Sequence, residues 1–161
     1  MTDSMREAIF SALGDVQGVN VLDLYAGSGS LGLEALSRGA KKATFVESAR
    51  DAIVKLEENI ETTGFEGQAE VVWADVRATL ARPSDERMDL IFVDPPYSMA
   101  IEEVQTTLEE IVMGGFLADE GRVVVHRPAK NTTLSPLGLS LTLERDYGQA
   151  TVFFFEHEEE G

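Results

Sequence analysis

The sequence predicts a doubly wound α/β fold, a mainly parallel sheet with helices on both faces. Three observations carry this expectation. Five short apolar runs alternate with stretches in which apolar residues recur every three or four positions. A glycine turn, Gly27-x-Gly29-x-x-Gly32, joins the first of those runs to the helix after it. The last part of the chain changes period and reads as a hairpin. With 161 residues the chain is expected to form one domain, 1–161, with a sizeable core.

Thr2 or Asp3 can cap a first helix whose apolar stripe is Met5, Ile9, Ala12 and Leu13, with Gly14 near its end. Arg6 and Glu7 are expected simply to face solvent there. Val21, Leu22 and Leu24 make the first strand, and Leu31, Leu33, Ala35 and Leu36 the next helix. Strand two is Ala43 to Glu47, followed by a helix through Ala49, Ala52, Ile53, Leu56 and Ile60 that stops near Gly64. Strand three runs from Ala69 to Asp75, with Trp73 expected in the core. A polar connection, Pro83 to Glu86, leads to strand four, Met88 to Val93. Ile101, Val104, Leu108, Ile111 and Val112 stripe the next helix, which Gly114-Gly115 closes. Strand five is Arg122 to His126, and Pro128 to Pro136 is a loop. Leu139 to Leu143 and Thr151 to Phe155 then pair as an antiparallel hairpin around Tyr147-Gly148.

Composition narrows the function classes. With no cysteine there is neither a disulfide framework nor a thiolate metal site, and His126 and His157 are too isolated to nominate as metal ligands. No run approaches the roughly 20 apolar residues that span a bilayer, and no signal-peptide order opens the chain, so a cytoplasmic monomer with no membrane partner is expected. The net charge of -16 provides no basic face for a nucleic-acid backbone. The run Glu156 to Glu160 reads as a solvated, frayed tail.

The glycine turn carries the first chemical signal. Its spacing matches the dinucleotide fingerprint, and Glu47, twenty residues past Gly27, is placed to hold ribose hydroxyls. Asp23 argues against a dinucleotide. A carboxylate at the mouth of the loop would repel a pyrophosphate and attract a ligand carrying an ammonium and a sulfonium. S-adenosylmethionine has both charges, a ribose and no phosphate. The same glycines could instead serve only to pack a helix on the sheet. Asp75 could contact an adenine amino group or cap a helix, and the two readings look alike in sequence.

Asp94-Pro-Pro-Tyr97, at the end of strand four, carries the second signal. Two prolines could merely stop the strand. Beside a methyl-donor loop they suggest more. The lone pair of an exocyclic base amine is delocalised into the ring, and two acceptors aimed at its hydrogens would localise it and point it at a methyl group. Asp94 supplies one acceptor and the Pro95 carbonyl the other, while Tyr97 offers a face on which a rotated-out base can stack. No metal is required.

These residues resemble the small-subunit ribosomal RNA guanine-N2 methyltransferases of bacteria, the RsmD type, a branch of the class I S-adenosylmethionine-dependent enzymes. The likeness runs through Thr2-Asp3, Arg6-Glu7 and Phe10, Leu22-Asp23, Ala26 to Gly29, Leu31 to Arg38, Phe92 to Tyr97 and Gly148-Gln149, almost end to end. It implies a Rossmann-like, seven-stranded sheet whose last strand is antiparallel. It also implies a cofactor held by Asp23, Tyr25, Ala26, Gly27, Ser28, Gly29, Glu47, Ser48, Asp75, Val76 and Asp94, with Asp94, Pro95, Pro96 and Tyr97 at the base. The substrate would be ribosomal RNA or the assembling small subunit, and the product S-adenosylhomocysteine. Members ordinarily begin with a basic, glycine- and arginine-rich hairpin that grips RNA, whereas here the Thr-Asp segment starts the chain. Either the hairpin has been trimmed or this member lacks it. The same residues leave room for a DNA adenine-N6 or cytosine-N4 methyltransferase, an NAD-dependent oxidoreductase, or a non-catalytic nucleotide-binding module.

Overall fold

The apolar runs and stripes settle into alternating strands and helices in the computed structural model, which describes residues 1–128 and 132–159. In chain order these are α1 (Asp3–Leu13), β1 (Asn20–Leu24), α2 (Ser30–Ser37), β2 (Lys42–Glu47), α3 (Arg50–Thr63) and β3 (Ala69–Trp73). They continue with α4 (Val76–Leu80), β4 (Met88–Val93), α5 (Ile101–Met113), β5 (Leu117–Arg127), β6 (Leu139–Tyr147) and β7 (Ala150–His157). The strands form one sheet in the order β3-β2-β1-β4-β5-β7-β6. β1 to β5 pair in parallel, and β7 inserts antiparallel between β5 and β6. This is a seven-stranded sheet, mainly parallel, with an antiparallel last strand, as the resemblance implies.

Alternation along the strands divides the core into two layers. Val21, Phe45, Leu90, Phe92 and Val124 face α1, α2 and α3, where they meet Ile9, Phe10, Leu36 and Leu56. Leu22, Leu24, Val46, Ile91, Val93 and Val125 face the other way, onto Val76, Leu80, Val104, Leu108 and Ile111. Each fully buried Phe or Leu contributes roughly 1.5–3 kcal/mol by leaving water. Because the central strands bury both faces, the sheet's carboxyl edge is where polar side chains can gather.

Several expectations shift. Thr2 is the N-cap of α1, its hydroxyl accepting from the Met5 N–H at 3.1 Å. The buried stripe is Ile9, Phe10 and Leu13, while Ala12 is exposed. Arg6 and Glu7 are not simply solvated: Arg6 bridges Asp3 and Glu34, and Arg38 reaches Glu7 and Glu34 while stacking over Phe10, so α1 is tied to α2. Trp73 is 58 % exposed rather than in the core, because it ends the edge strand β3. Its indole N–H donates to the Ser48 carbonyl at 3.0 Å, and the Arg50 guanidinium covers its ring. β5 starts five residues earlier than Arg122, Leu117 pairing with Met88 before a register shift. The hairpin turn is Gly148-Gln149, with longer arms than expected. The expected Pro128 to Pro136 loop lies partly, at 129–131, outside the described residues, as does Glu160 of the acidic tail. Among the described residues no helix is long and apolar enough to cross a membrane.

Candidate active site

The parallel register brings the carboxyl ends of β1, β2, β3 and β4 to one edge, as expected for ligand sites of open α/β sheets. Tyr25, Glu47, Ser48, Asp75, Val76, Asp94 and Pro96 line a cavity of about 170 Å³ there. A larger hollow of about 570 Å³ lies between the start of α1, Pro128 and the β6–β7 turn. None of Glu47, Asp75 or Asp94 is in its wall, so the chemistry is assigned to the smaller cavity.

The glycine turn is built by main-chain freedom and held by two carboxylates. Gly27 and Gly29 take φ of 58° and 85°, and Tyr25, unusually for a non-glycine residue, takes 58°. Glu47 accepts from the Gly27 N–H at 2.8 Å through one oxygen and from Ser48 and Ala49 through the other. It thus ties the turn to the end of β2. Gly32 packs so closely that a Cβ there would lie 2.8 Å from Phe45 Cζ and 3.0 Å from Asp23 Oδ2.

Asp23 corrects an expectation. It does not stand at the mouth of the loop. Alternation turns it toward α2, in register with Phe45 and Phe92, where it is 1 % exposed and accepts the Gly32 N–H at 3.0 Å. The carboxylate therefore fixes the turn from beneath. Burial raises its pKa well above the ordinary carboxylate range, opposed by the Gly32 hydrogen bond and reinforced by the charges of Asp94 and Glu47. The unfolded chain then gives up this proton first. Stability present below the ordinary carboxylate range is lost as pH rises through that range toward the raised value. Asp23→Asn keeps an oxygen for Gly32 and removes the titration. It is expected to raise the thermal midpoint near neutral pH, with the gain vanishing in acid, as measured by calorimetric melting across pH.

Asp75 resolves as a cap: its Oδ2 accepts from the Ala78 N–H at 3.1 Å at the start of α4, while the residue also lines the cavity. Tyr25 sends its hydroxyl to Thr107 and the Met99 sulfur, and burial raises its pKa. Pro95 is buried, whereas Tyr97 is 80 % exposed with its ring available.

Two residues of the site escaped sequence reading. His126, dismissed as isolated, places Nδ1 2.8 Å from Asp94 Oδ1. Arg127, 6 % exposed, donates to the Met99 carbonyl at 3.1 Å and the Pro96 carbonyl at 3.5 Å, holding the main chain on either side of Tyr97. Burial lowers its pKa, and the negative charge of Asp94 opposes that shift. The signal was present in the pairing of Val93 with Val125: one step further along both strands sets Asp94 beside His126. No cluster of three or more metal-ligating side chains occurs among the described residues.

The chain matches the family described as Conserved hypothetical protein 95 over residues 1–156. It is 36 % identical to ribosomal RNA small subunit methyltransferase D of Escherichia coli, over 99 % of this chain and 80 % of that protein. A conserved hypothetical protein of Streptococcus pyogenes superposes with a TM-score of 0.86 at 32 % identity, covering 95 % of each chain. An RNA methyltransferase from Salinibacter ruber, solved with S-adenosyl-L-homocysteine, shares the fold, with a TM-score of 0.75 at 16 % identity over 100 % of this chain and 95 % of that one.

Proposed function

The chain belongs to the Conserved hypothetical protein 95 family, the RsmD family, and from that premise we propose that it is an S-adenosylmethionine-dependent methyltransferase acting on guanine N2 in small-subunit ribosomal RNA. The observation that carries the reading is the meeting of Asp94 and Pro96 with Glu47, Asp75 and the glycine-turn residue Tyr25 around one cavity. The donor set fits the cofactor. Glu47, Asp75 and Asp94 line the cavity, and an acidic wall favours a cationic ligand over a pyrophosphate. Gly27, Ser28 and Gly29, with Tyr25 and Ala26, would carry its amino-acid end, Glu47 and Ser48 its ribose, and Asp75 and Val76 its adenine edge.

Bound S-adenosylmethionine supplies an electrophilic methyl group on a sulfonium. The protein's part is to present the amine. Asp94 accepts one N–H of the exocyclic amine and the Pro95 carbonyl the other, so that the lone pair leaves the ring plane. Tyr97 stacks on the base and is worth on the order of 1–3 kcal/mol. Bound there, the cofactor would supply the methyl group with its bonding electrons left on sulfur, and Asp94 or water would take the proton that the amine gives up. The work is cytoplasmic, on ribosomal RNA or an assembling subunit, by a monomer.

Transfer of labelled methyl groups tests this. Label is expected on under-modified 30S particles, at guanine N2 after digestion, and not on DNA. Label on DNA alone would establish the adenine-N6 or cytosine-N4 alternative instead.

A further inference from the structure

The mechanism above asks one carboxylate to aim at one hydrogen, yet Asp94 sits just past the end of β4 on a proline-stiffened connection, 32 % exposed at its side chain. An unsupported carboxylate there would sample several rotamers. The structure supplies a support from the neighbouring strand. His126 lies on β5 with its side chain 14 % exposed, turned to the same face of the sheet as Asp94 because Val93 and Val125 pair directly. Its Nδ1 is 2.8 Å from Asp94 Oδ1.

We propose that His126 is the positioning residue for Asp94, occupying Oδ1 so that Oδ2 is the oxygen presented to the substrate amine. This rests on the methyltransferase reading. An ionised carboxylate only accepts, so the imidazole donates from Nδ1. A hydrogen bond to a carboxylate is the stronger kind. Its direction is set by β5, a strand locked on both sides by β4 and β7. Arg127, the next residue, faces the opposite layer and holds the Pro96 and Met99 carbonyls. Consecutive residues of one strand therefore grip the catalytic connection by its side chain and by its main chain. His126 touches neither the base nor the methyl donor in this scheme; it acts through Asp94.

The test compares wild type, His126→Leu and His126→Asn in methyl transfer to under-modified 30S particles, with S-adenosylhomocysteine affinity and thermal midpoints measured alongside. Leucine fills the volume without a donor, whereas the asparagine amide can place an N–H near the position of Nδ1. His126→Leu is expected to lose kcat by roughly 10- to 100-fold, the scale of a misplaced reacting group, with KM and cofactor affinity within about twofold of wild type. His126→Asn is expected to recover most of that loss. A purely structural role would lower the thermal midpoint of both variants and would not distinguish them in kcat. Equal kcat for His126→Leu and wild type, or equal loss in both variants, overturns the proposal. A wild-type chain that binds S-adenosylhomocysteine and labels DNA only would overturn the RNA reading, while the same variant comparison on DNA still judges His126.

Discussion

Asp94→Ala is expected to lower methyl transfer by about 10²- to 10³-fold while S-adenosylhomocysteine binds almost as tightly as to wild type. The asymmetry follows from what Asp94 does. It is one of several groups around the cofactor cavity but the only carboxylate in the Asp94 to Tyr97 segment. Removing it leaves Glu47 bound to Gly27 and the glycine turn intact, so the donor still has its seat. The amine loses one of the two acceptors that free its lone pair, an interaction strengthened in the transition state. Single-turnover transfer and calorimetric binding, run on the same preparation, separate these effects. Equal rates would mean that the connection only stops a strand. Parallel loss of rate and binding would move Asp94 from catalysis to cofactor capture.

The second large effect is expected at the glycines, where two alanines should fail for different reasons. Gly32→Ala forces a methyl against the Phe45 ring and the Asp23 carboxylate, both buried. Overpacking of this kind costs about 1–3 kcal/mol, which for a domain of this size lowers Tm by roughly 2–12 °C. Gly27→Ala meets nothing within 4 Å, although its φ of 58° adds local strain. Its methyl would stand in the turn that the ligand approaches, so a loss of cofactor affinity is expected beyond the modest fall in melting that the left-handed backbone causes. Melting curves and titrations on both variants check the contrast. A Gly27→Ala variant with full affinity would reduce the glycines to helix packing.

Periodicity made the fold legible. Strands that bury both faces leave continuous apolar runs, and the longer helices between them show their stripes at three and four, whereas the five-residue α4 is too short to show one. The edges were harder. Trp73 reads as core by its chemistry and is exposed by its place at the end of an edge strand, which composition does not reveal. Asp23 shows the opposite failure: its charge suggested a rim, while strand alternation drove it inward beneath α2. Alternation was visible in Val21-Leu-Asp-Leu24, but a buried acid is favourable only with a donor such as the Gly32 N–H, and that partner lies nine residues away. The candidate site divided along the same line. Asp94, Glu47 and the turn are local patterns, readable one segment at a time. His126 and Arg127 depend on which strands pair and in what register, a property of the sheet rather than of any stretch of chain.

Methyl-donor binding by the chain itself tests the central claim most directly. Calorimetric titration with S-adenosylhomocysteine should show one saturable site, weakened in Glu47→Ala and Gly27→Ala, and titration with NADH should show none. Saturable NADH binding with no heat from S-adenosylhomocysteine would contradict the account.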